Sequence, residues 1–537
     1  MRKHFEALQK ARANHLALSP ISFLRRAADL HGERKAVIYG EVQRNWTETA
    51  ERICSVAGGL VGLGVQKGDT VSVISPNIPE LLELHFAVPL TGGVLNTINT
   101  RLEAETIAYI LEHADTKLVI VDREFVPLLS KAFELLGRML PVVEIVDPAV
   151  TGDSLGGKTY DELTEAEPLP IELPEDEWDP IALNYTSGTS GRPKGVVYHH
   201  RGAYLIALGT GTAWQLPAYP VYLSVVPMFH CNGWGHPWLM AMLGATVVFT
   251  RVPAADRLLD AIRNHGVTHF GAAPIILQML TEAESDPRPF DPAISVLTAG
   301  APPPPSVLEK TRLMGFDVMQ VYGLTETYGH ISQCLWQDDW DDLSPAEQAE
   351  MQAQQGIAFP MVEEVAVIDR SSGEPVARDG KTQGEIAIRG NTVMSGYYKD
   401  PEATAKSFED GWFWSGDGAV SHENGFIQIR DRLKDVIISG GENISSVEVE
   451  AVLYRHEAVQ AAAVVAMPHE KWGEVPLAFI ELREGAEADP DDIIGFCRNH
   501  LAGFKTPKAV VFDTLPKTST GKIQKFQLRD RAKTLNN

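Results

Sequence analysis

Seven short apolar runs, rich in β-branched residues, recur through the first 300 positions: VSVI (71–74), LVIV (118–121), VVEIV (142–146), YLSVV (222–226), ATVVF (245–249), THFGAA (268–273) and SVLTA (295–299). Helical patterns separate many of them. Buried strands alternating with helices imply an α/β architecture with largely parallel sheets. From about residue 362 the texture changes. VEEVAVID (362–369), GEIAIRG (384–390) and GFIQIRD (425–431) follow one another with little helix between them, which predicts a smaller β-rich subdomain. At roughly 150 residues per domain-sized unit, a chain of 537 residues can bury a large core without disulfide or metal staples.

Composition narrows the function classes. Apolar residues are 44% and charged residues 22%, values that exclude collagen, disorder and coiled coil. The net charge of −24 argues against broad nucleic-acid or anionic-membrane binding but leaves room for a local basic site that takes a phosphorylated ligand. Cys54, Cys231, Cys334 and Cys497 are far apart in sequence, so neither metal-ligand spacing nor a redox pair is present. The first twenty residues lack an apolar h-region. The longest apolar stretch, Trp238 to Thr250, has 13 residues, short of the roughly 18 needed to span a bilayer. No membrane insertion and a cytoplasmic location are expected.

Two acidic stretches read as connectors. Residues 161–180 hold nine carboxylates, four prolines and no Lys or Arg, and QDDWDD occupies 337–342. After the latter, Ser344, Pro345 and Glu347 spell a capping box with proline at the first helical position, which predicts a surface helix without chemistry. Residues 501–537 reverse the charge, with eight Lys or Arg against two Asp. That is a solvated terminal segment or a piece that meets an anionic ligand.

Residues 152–159, GDSLGGKT, satisfy the P-loop pattern letter for letter. A P-loop needs a strand running straight into the loop and a sound helix after it. Here Pro148 interrupts, and the next segment opens with Asp161 and Glu162, which would repel phosphate. The stronger segment is YTSGTSGRPKG (185–195), in which seven of eleven residues are Gly, Ser or Thr. Small residues let backbone N–H groups and hydroxyls wrap a polyphosphate, and Lys194 adds a point charge. Pro193 blocks a helix start at the lysine, so a loop between strands is expected. By physics alone a flexible Gly/Ser turn competes with this reading.

As a string, YTSGTSGRPKGV (185–196) resembles the phosphate-loop signature of the adenylate-forming superfamily, which includes acyl-CoA synthetases, aryl-CoA ligases, luciferases and peptide-synthetase adenylation domains. The family's further blocks stand in order: QVYGLTET (320–327), GWFWSGD (411–417), RDRLKD (430–435) with SGGENI (439–444), and PKTSTGK (516–522). The resemblance implies a large N-terminal domain (1–430) of parallel-sheet α/β subdomains plus a small β-subdomain, a hinge (431–436), and a small mobile α+β C-terminal domain (437–537). It also implies two half-reactions with ATP, Mg²⁺ and CoA. A carboxylate attacks the α-phosphate of ATP to give acyl-adenylate and pyrophosphate, and a thiol then displaces AMP.

The resemblance assigns residues to that chemistry, which needs charge neutralisation and alignment more than a strong base. Thr186, Ser187, Gly188, Thr189 and Lys194 resemble the polyphosphate grip. Glu326 resembles the Mg²⁺ carboxylate, a hard oxygen ligand, with Thr325 as its phosphate or metal partner. Tyr322 and Gly323, with the turn Gly300, Ala301 and Pro302, are expected against adenine and the acyl group. Asp417 resembles the acid that grips both ribose hydroxyls, with Arg432 as its cationic companion. Lys522 resembles the adenylation lysine, supplying compact charge where negative charge builds; Lys525 is its nearest rival by charge. Lys434 occupies the hinge position. Rotation there would withdraw Lys522 and bring Gly440 and Gly441 alongside a pantetheine arm.

PMFHCNGW (227–234) resembles the acyl-pocket segment. There His230 is expected near the substrate carboxylate, and Trp234, with Gly300 and Gly329, in the acyl wall. A metal site of His230, Cys231 and His236 lacks a convincing further partner. Arg101, Trp472 and Phe504 match CoA-contacting positions of related aryl-CoA ligases, although a position that can be basic there is Thr506 here. The block spelling is most similar to ligases for medium-chain fatty acids and for 3-methylmercaptopropionate, with short and medium straight-chain acids equally open. A homodimer is expected by analogy with similar ligases. A luciferase-like oxygenase shares the adenylation step, and no carrier domain follows Lys522 to favour a peptide synthetase. The alternatives of other classes are a P-loop ATPase or kinase on residues 152–159 and a non-catalytic nucleotide or CoA sensor.

Overall fold

The computed structural model describes residues 8–186, 192–283, 289–300, 305–432, 435–439, 442–469, 471–517 and 523–535, with the side chains of residues 305, 306, 345, 346, 432 and 443 outside the description. Among the described residues the strands form four sheets. All seven apolar runs lie in strands of the first two.

One sheet runs, in spatial order, 357–358, 332–333, Phe316–Tyr322, Ile294–Thr298, His269–Ala272, Val221–Ser224, Thr246–Phe249, Lys35–Tyr39, Val42–Asn45. Its central strands are parallel, and antiparallel pairs close both edges. A second sheet places Pro180–Thr186, Val94–Thr97, Thr70–Ile74, Thr116–Asp122 and Val142–Ile145 in parallel. Lys194–His199 folds back antiparallel on Pro180–Thr186. A continuous core joins the two sheets, with Val71, Leu95 and Ile181 from one, Val37, Val247 and Leu297 from the other, and Ile53, Phe86, Ile206 and Leu239 from helices. Each large side chain so buried contributes about 1.5–3 kcal/mol of transfer free energy.

The helix Pro79–Leu90 shows why that core forms. It is apolar around its whole circumference, and every residue from Pro79 to Pro89 except Glu80 is buried; a helix of that kind must sit inside. Its one deeply buried acid, Glu83, is held by Arg44 at 3.1 Å, Arg52 at 3.0 Å and the Tyr160 hydroxyl at 2.9 Å. Amphipathic helices cover the outer faces. Ala255–His265 packs Leu258, Leu259 and Ile262 against the first sheet, and Ala104–His113 with Val126–Leu136 packs Ile107, Leu111, Leu129 and Phe133 against the second.

The expected β-rich subdomain is an antiparallel sheet built on Glu364–Asp369, Gly384–Arg389, Trp412–Ser421 and Ile427–Arg432. The fourth sheet begins at Ile437. It pairs Val459–His469 with Gly473–Leu482 and adds Ala509–Phe512 in parallel. The helix Pro345–Gln352 has the capping box read from its sequence, with the Ser344 and Glu347 side chains each accepting the other's backbone N–H. Among the described residues no helix is long and apolar enough to cross a membrane.

Candidate active site

The candidate residues gather where strand ends of three sheets meet, the position at which open α/β sheets receive ligands. Thr186 ends its strand and lies directly across the hairpin from Lys194, so the residues spaced eight apart in sequence flank one opening. Pro193 stands outside any helix, as expected. The Lys194 ammonium lies 4.7 Å from the Tyr397 ring centroid and 3.9 Å from Asp400. The Tyr397 hydroxyl in turn donates to Glu326 Oε1 at 2.8 Å. Burial and the Glu326 charge push the Tyr397 phenol well above its ordinary range, so it remains a neutral donor.

Thr325 and Glu326 form a single 3₁₀ turn after the strand Phe316–Tyr322. The Tyr198 hydroxyl donates to the Thr325 carbonyl at 2.6 Å, and Met394 N–H donates to the Glu326 carbonyl at 2.8 Å. Tyr198 stacks on Tyr328 with ring centroids 3.9 Å apart, and the Tyr328 hydroxyl accepts the His199 N–H at 2.7 Å. Nothing in the sequence pointed to Tyr198, Tyr328 or Tyr397, since each reads as an ordinary core aromatic. Their hydroxyl partners come from chain segments up to 129 residues away.

Tyr322 is buried at the strand end, and its hydroxyl donates to Asp417 Oδ2 at 2.7 Å. Asp417 lies across an antiparallel ladder from Arg432, so the residues expected at adenine and ribose come together from different sheets. Gly323 is required by close approach, because a Cβ there would stand 2.4 Å from His330 Cα. Gly300 has a φ of +102° and follows the strand Ile294–Thr298; Ala301 and Pro302 lie outside the described residues.

His230 is half-buried and opens the acyl-segment turn. The next residue, Cys231, has its Sγ 3.4 Å from Thr325 Oγ1. Burial pushes that thiol up, but the His230 charge and hydrogen bonds with His230, Thr325 and Tyr198 outweigh it and leave the thiol below its ordinary value. Trp234 is buried against two glycines. A Cβ at Gly329 would stand 3.0 Å from Trp234 Cδ1, and one at Gly271 would stand 3.1 Å from its Cζ3. His236 and His330 meet the indole edge-on, at 5.9 and 5.8 Å. Burial holds His236 well below its ordinary value and His330 near 3, so both rings are neutral.

Among the described residues no cluster of three or more His, Cys, Asp or Glu could hold a metal ion. One carboxylate and one hydroxyl, Glu326 and Thr325, fit a Mg²⁺ whose other positions are taken by phosphate and water, the usual arrangement for that ion. Ser187, Gly188, Thr189, Lys434, Gly440, Gly441 and Lys522 lie outside the described residues, as does the Arg432 side chain. Lys525, the rival to Lys522, is engaged elsewhere. Its ammonium lies 2.7 Å from Glu450 Oε1 and 2.5 Å from Ser446 Oγ. Arg101, Trp472 and Phe504 are exposed, while Thr506 is buried.

The P-loop-like segment is already filled by the protein's own carboxylates. Glu144 Oε1 accepts the N–H of Leu155 at 2.7 Å and of Gly157 at 3.3 Å, and the Ser154 hydroxyl at 3.0 Å. The four-residue helix that follows is capped by Glu162, which accepts the Thr159 N–H at 2.6 Å. No N–H nest is left for phosphate, and the ATPase or kinase alternative is not favoured.

Comparison with known proteins gives the family. A family model for AMP-binding enzymes matches residues 24–398, and one for the AMP-binding enzyme C-terminal domain matches 448–522. The chain is 44% identical to 2-methylpropanoate–CoA ligase CCL4 of Humulus lupulus, covering 98% of this chain and 97% of the relative. It is 45% identical to the peroxisomal acetate/butyrate–CoA ligase AAE7 of Arabidopsis thaliana, covering 99% and 98%. The o-succinylbenzoate CoA synthetase of Bacillus subtilis, solved in complex with ATP and magnesium ion, superposes with a TM-score of 0.80 at 28% identity, covering 94% of this chain and 98% of that one. The chain therefore belongs to the AMP-binding enzyme family, as an AMP-forming acyl-CoA synthetase.

Proposed function

We propose that the protein activates short-chain carboxylic acids, with ATP, Mg²⁺ and CoA, through an acyl-adenylate. The observation that carries the substrate class is Trp234. Its indole is wedged between Gly271 and Gly329, and as the wall of the acyl pocket it would leave room for a short acid only. The acids named for the two plant relatives, 2-methylpropanoate, acetate and butyrate, point the same way. 3-Methylmercaptopropionate, whose soft thioether would pack against an indole, stays within this size class.

In the first half-reaction the acid's carboxylate oxygen attacks the α-phosphorus and pyrophosphate leaves. Thr186, Lys194 and residues 187–189 grip the β- and γ-phosphates, while Asp417 and Arg432 hold the ribose and Tyr322 the adenine. Bound Mg²⁺ would neutralise phosphate charge; Glu326 and Thr325 would hold it. Tyr397 and Tyr198 fix the turn that carries those two residues. Lys522 stabilises the crowded oxygens at the transition state, and His230 orients the carboxylate. Such positioning and charge stabilisation is the main contribution an enzyme can make to phosphoryl-type transfer. In the second half-reaction the CoA sulfur attacks the acyl carbonyl, AMP leaves, and the thiol proton is released. Rotation at Lys434, within a 431–436 hinge between domains 1–430 and 437–537, exchanges Lys522 for a thiol path along Gly440 and Gly441. Arg101, Trp472 and Phe504 meet the CoA nucleotide.

The test is AMP and pyrophosphate release across acetate, butyrate, 2-methylpropanoate, 3-methylmercaptopropionate, hexanoate and laurate. The highest kcat/KM is expected among the acids smaller than hexanoate, and a maximum at laurate would refute the size class. Lys522→Ala should nearly abolish adenylate formation while sparing thioester formation from supplied acyl-adenylate. Equal loss of both would refute the lysine's role. Release of ADP and phosphate would revive the P-loop reading, and binding without turnover the sensor reading. Sedimentation tests the homodimer, and imaging of a tagged chain tests a cytoplasmic against a peroxisomal home.

A further inference from the structure

The turn that carries Trp234 has an unusual backbone. Cys231, Asn232, Gly233, Trp234 and Gly235 have φ values of 50°, 50°, 59°, 59° and 72°, a left-handed turn five residues long. L-residues other than Gly, Asn and Asp avoid that region because Cβ crowds the following carbonyl. Cys231 and Trp234 are therefore held against their own preference, and such strain persists only where the surroundings over-determine it. Asn232 is the one non-glycine residue in the turn suited to that conformation.

Asn232 is also the residue the surroundings grip. Its side chain is fully buried, its Oδ1 accepts from Asn184 Nδ2 at 2.7 Å, and its Nδ2 lies 3.2 Å from His85 Nε2. His85 Nδ1 lies 2.7 Å from the Leu81 carbonyl, which can only accept, so Nδ1 carries the proton. Burial pushes His85 down to about 4. At neutral pH its Nε2 is bare and accepts from Asn232. The result is a one-way relay from Asn184 to Asn232 to His85 to the Leu81 carbonyl. The Trp238 indole N–H donates to the His85 carbonyl at 3.1 Å and adds a second tie. The two ends of the relay matter. Asn184 lies two residues before Thr186 on the strand that enters the phosphate loop, and Asn232 lies two residues before Trp234.

We infer that Asn232 is a positioning residue for the acyl pocket: clamped between Asn184 and His85, it keeps the 231–235 turn left-handed and so sets Trp234 against Gly271 and Gly329 as the pocket wall. The inference rests on the reading of Trp234 as that wall. It goes beyond it by assigning acid selectivity to a buried amide that need not touch the acid.

Asn232→Gly is the decisive variant, because glycine adopts the same φ freely and removes only the clamp. Expected is a KM for butyrate raised about tenfold, the KM for ATP unchanged within about twofold, and a relative gain for hexanoate over butyrate as the wall loosens. His85→Leu, which leaves the turn's backbone untouched, should act in the same direction. His85→Gln, which can still accept from Asn232, should restore most of the butyrate KM. An unchanged acid profile in Asn232→Gly would overturn the inference, as would equal rises in both KM values. If Asn232→Gly does not fold, His85→Leu carries the same readouts; failure of both to fold would also overturn it, since the relay would then serve the core and not the pocket. Trp234→Ala separates the two readings. If it leaves the chain-length profile unchanged, the wall itself is wrong. If it changes the profile while Asn232→Gly does not, only the positioning role falls.

Discussion

A carboxylate proposed to hold a metal ion gains from being unable to rotate, and Tyr397 pins Glu326 by one oxygen at 2.8 Å. The same phenol ring lies beside Lys194, so one aromatic touches both a cation and an anion of the proposed nucleotide site. A hydrogen bond to a charged acceptor contributes about 1.5–3 kcal/mol. Tyr397→Phe is therefore expected to raise the KM for MgATP by about tenfold or more, with the acid KM unchanged; pyrophosphate release at varied Mg²⁺ measures it. An increase in acid KM alone would place Tyr397 in another role. Lys525 teaches the complementary lesson. Its charge made it a rival for catalysis, yet it is spent on Glu450 and Ser446 inside the small domain.

At the scale of elements, the 152–159 loop shows how a matching string can lack a function. Its backbone donors are turned onto Glu144, whose other oxygen pairs with Arg123 at 2.8 Å. Burial pushes the Glu144 carboxyl up, but the Arg123, Ser154, Leu155 and Gly157 hydrogen bonds outweigh it and hold it below its ordinary 4.5. A carboxyl whose folded value is depressed contributes stability that is present above its unfolded value and is lost as pH falls through the folded one. Glu144→Gln should thus flatten part of the fall in melting temperature below about pH 4.5, the unfolded value. Glu144→Ala should destabilise by about 3–5 kcal/mol, because it strands a partly buried guanidinium and the loop's donors. Lys158 is exposed on the same loop, and Lys158→Ala should leave AMP release unchanged. An inactive Lys158→Ala protein would return the loop to consideration.

The whole molecule depends on how its two large sheets are tied beyond their shared core. Arg251, just after the strand Thr246–Phe249 of one sheet, forks onto Asp122 at 2.7 and 2.9 Å at the end of a strand of the other. It also reaches Asp147 at 2.6 Å and Glu124 at 2.6 Å. The Tyr39 hydroxyl donates to Asp147 at 2.5 Å and closes the cluster. Three carboxylates in one place are tolerable only with this cation among them. Arg251→Ala should lower stability by about 3–5 kcal/mol, read as a fall in melting temperature, with kcat near wild type at 25 °C. Arg251→Lys should recover little, since an ammonium cannot reproduce the fork. A melting temperature unchanged in Arg251→Ala would show that the apolar core alone docks the sheets.

The strands were legible because a buried parallel strand must be a short β-branched run whatever its neighbours, and the hairpin at 180–199 because Pro193 and the small residues before it forbid a helix there. The capped helix at 345–352 was legible because Ser344 and Glu347 satisfy each other locally. The hairpin Lys35–Asn45 at the edge of the first sheet went unseen although its first strand carries the buried run Ala36 to Ile38, because its second strand, VQRN, has no apolar alternation to mark the pair. Local spelling thus determined the α/β class, the order of the blocks and the family's chemistry. Tertiary structure alone decided that Tyr397 meets Glu326, that Glu144 fills the P-loop-like nest, and that Asn232 is clamped from Asn184 and His85. The first and last of those join residues 48 to 147 positions apart, the Glu144 bonds span 10 to 13, and in all three the free energy is set by burial and geometry that the local spelling does not contain.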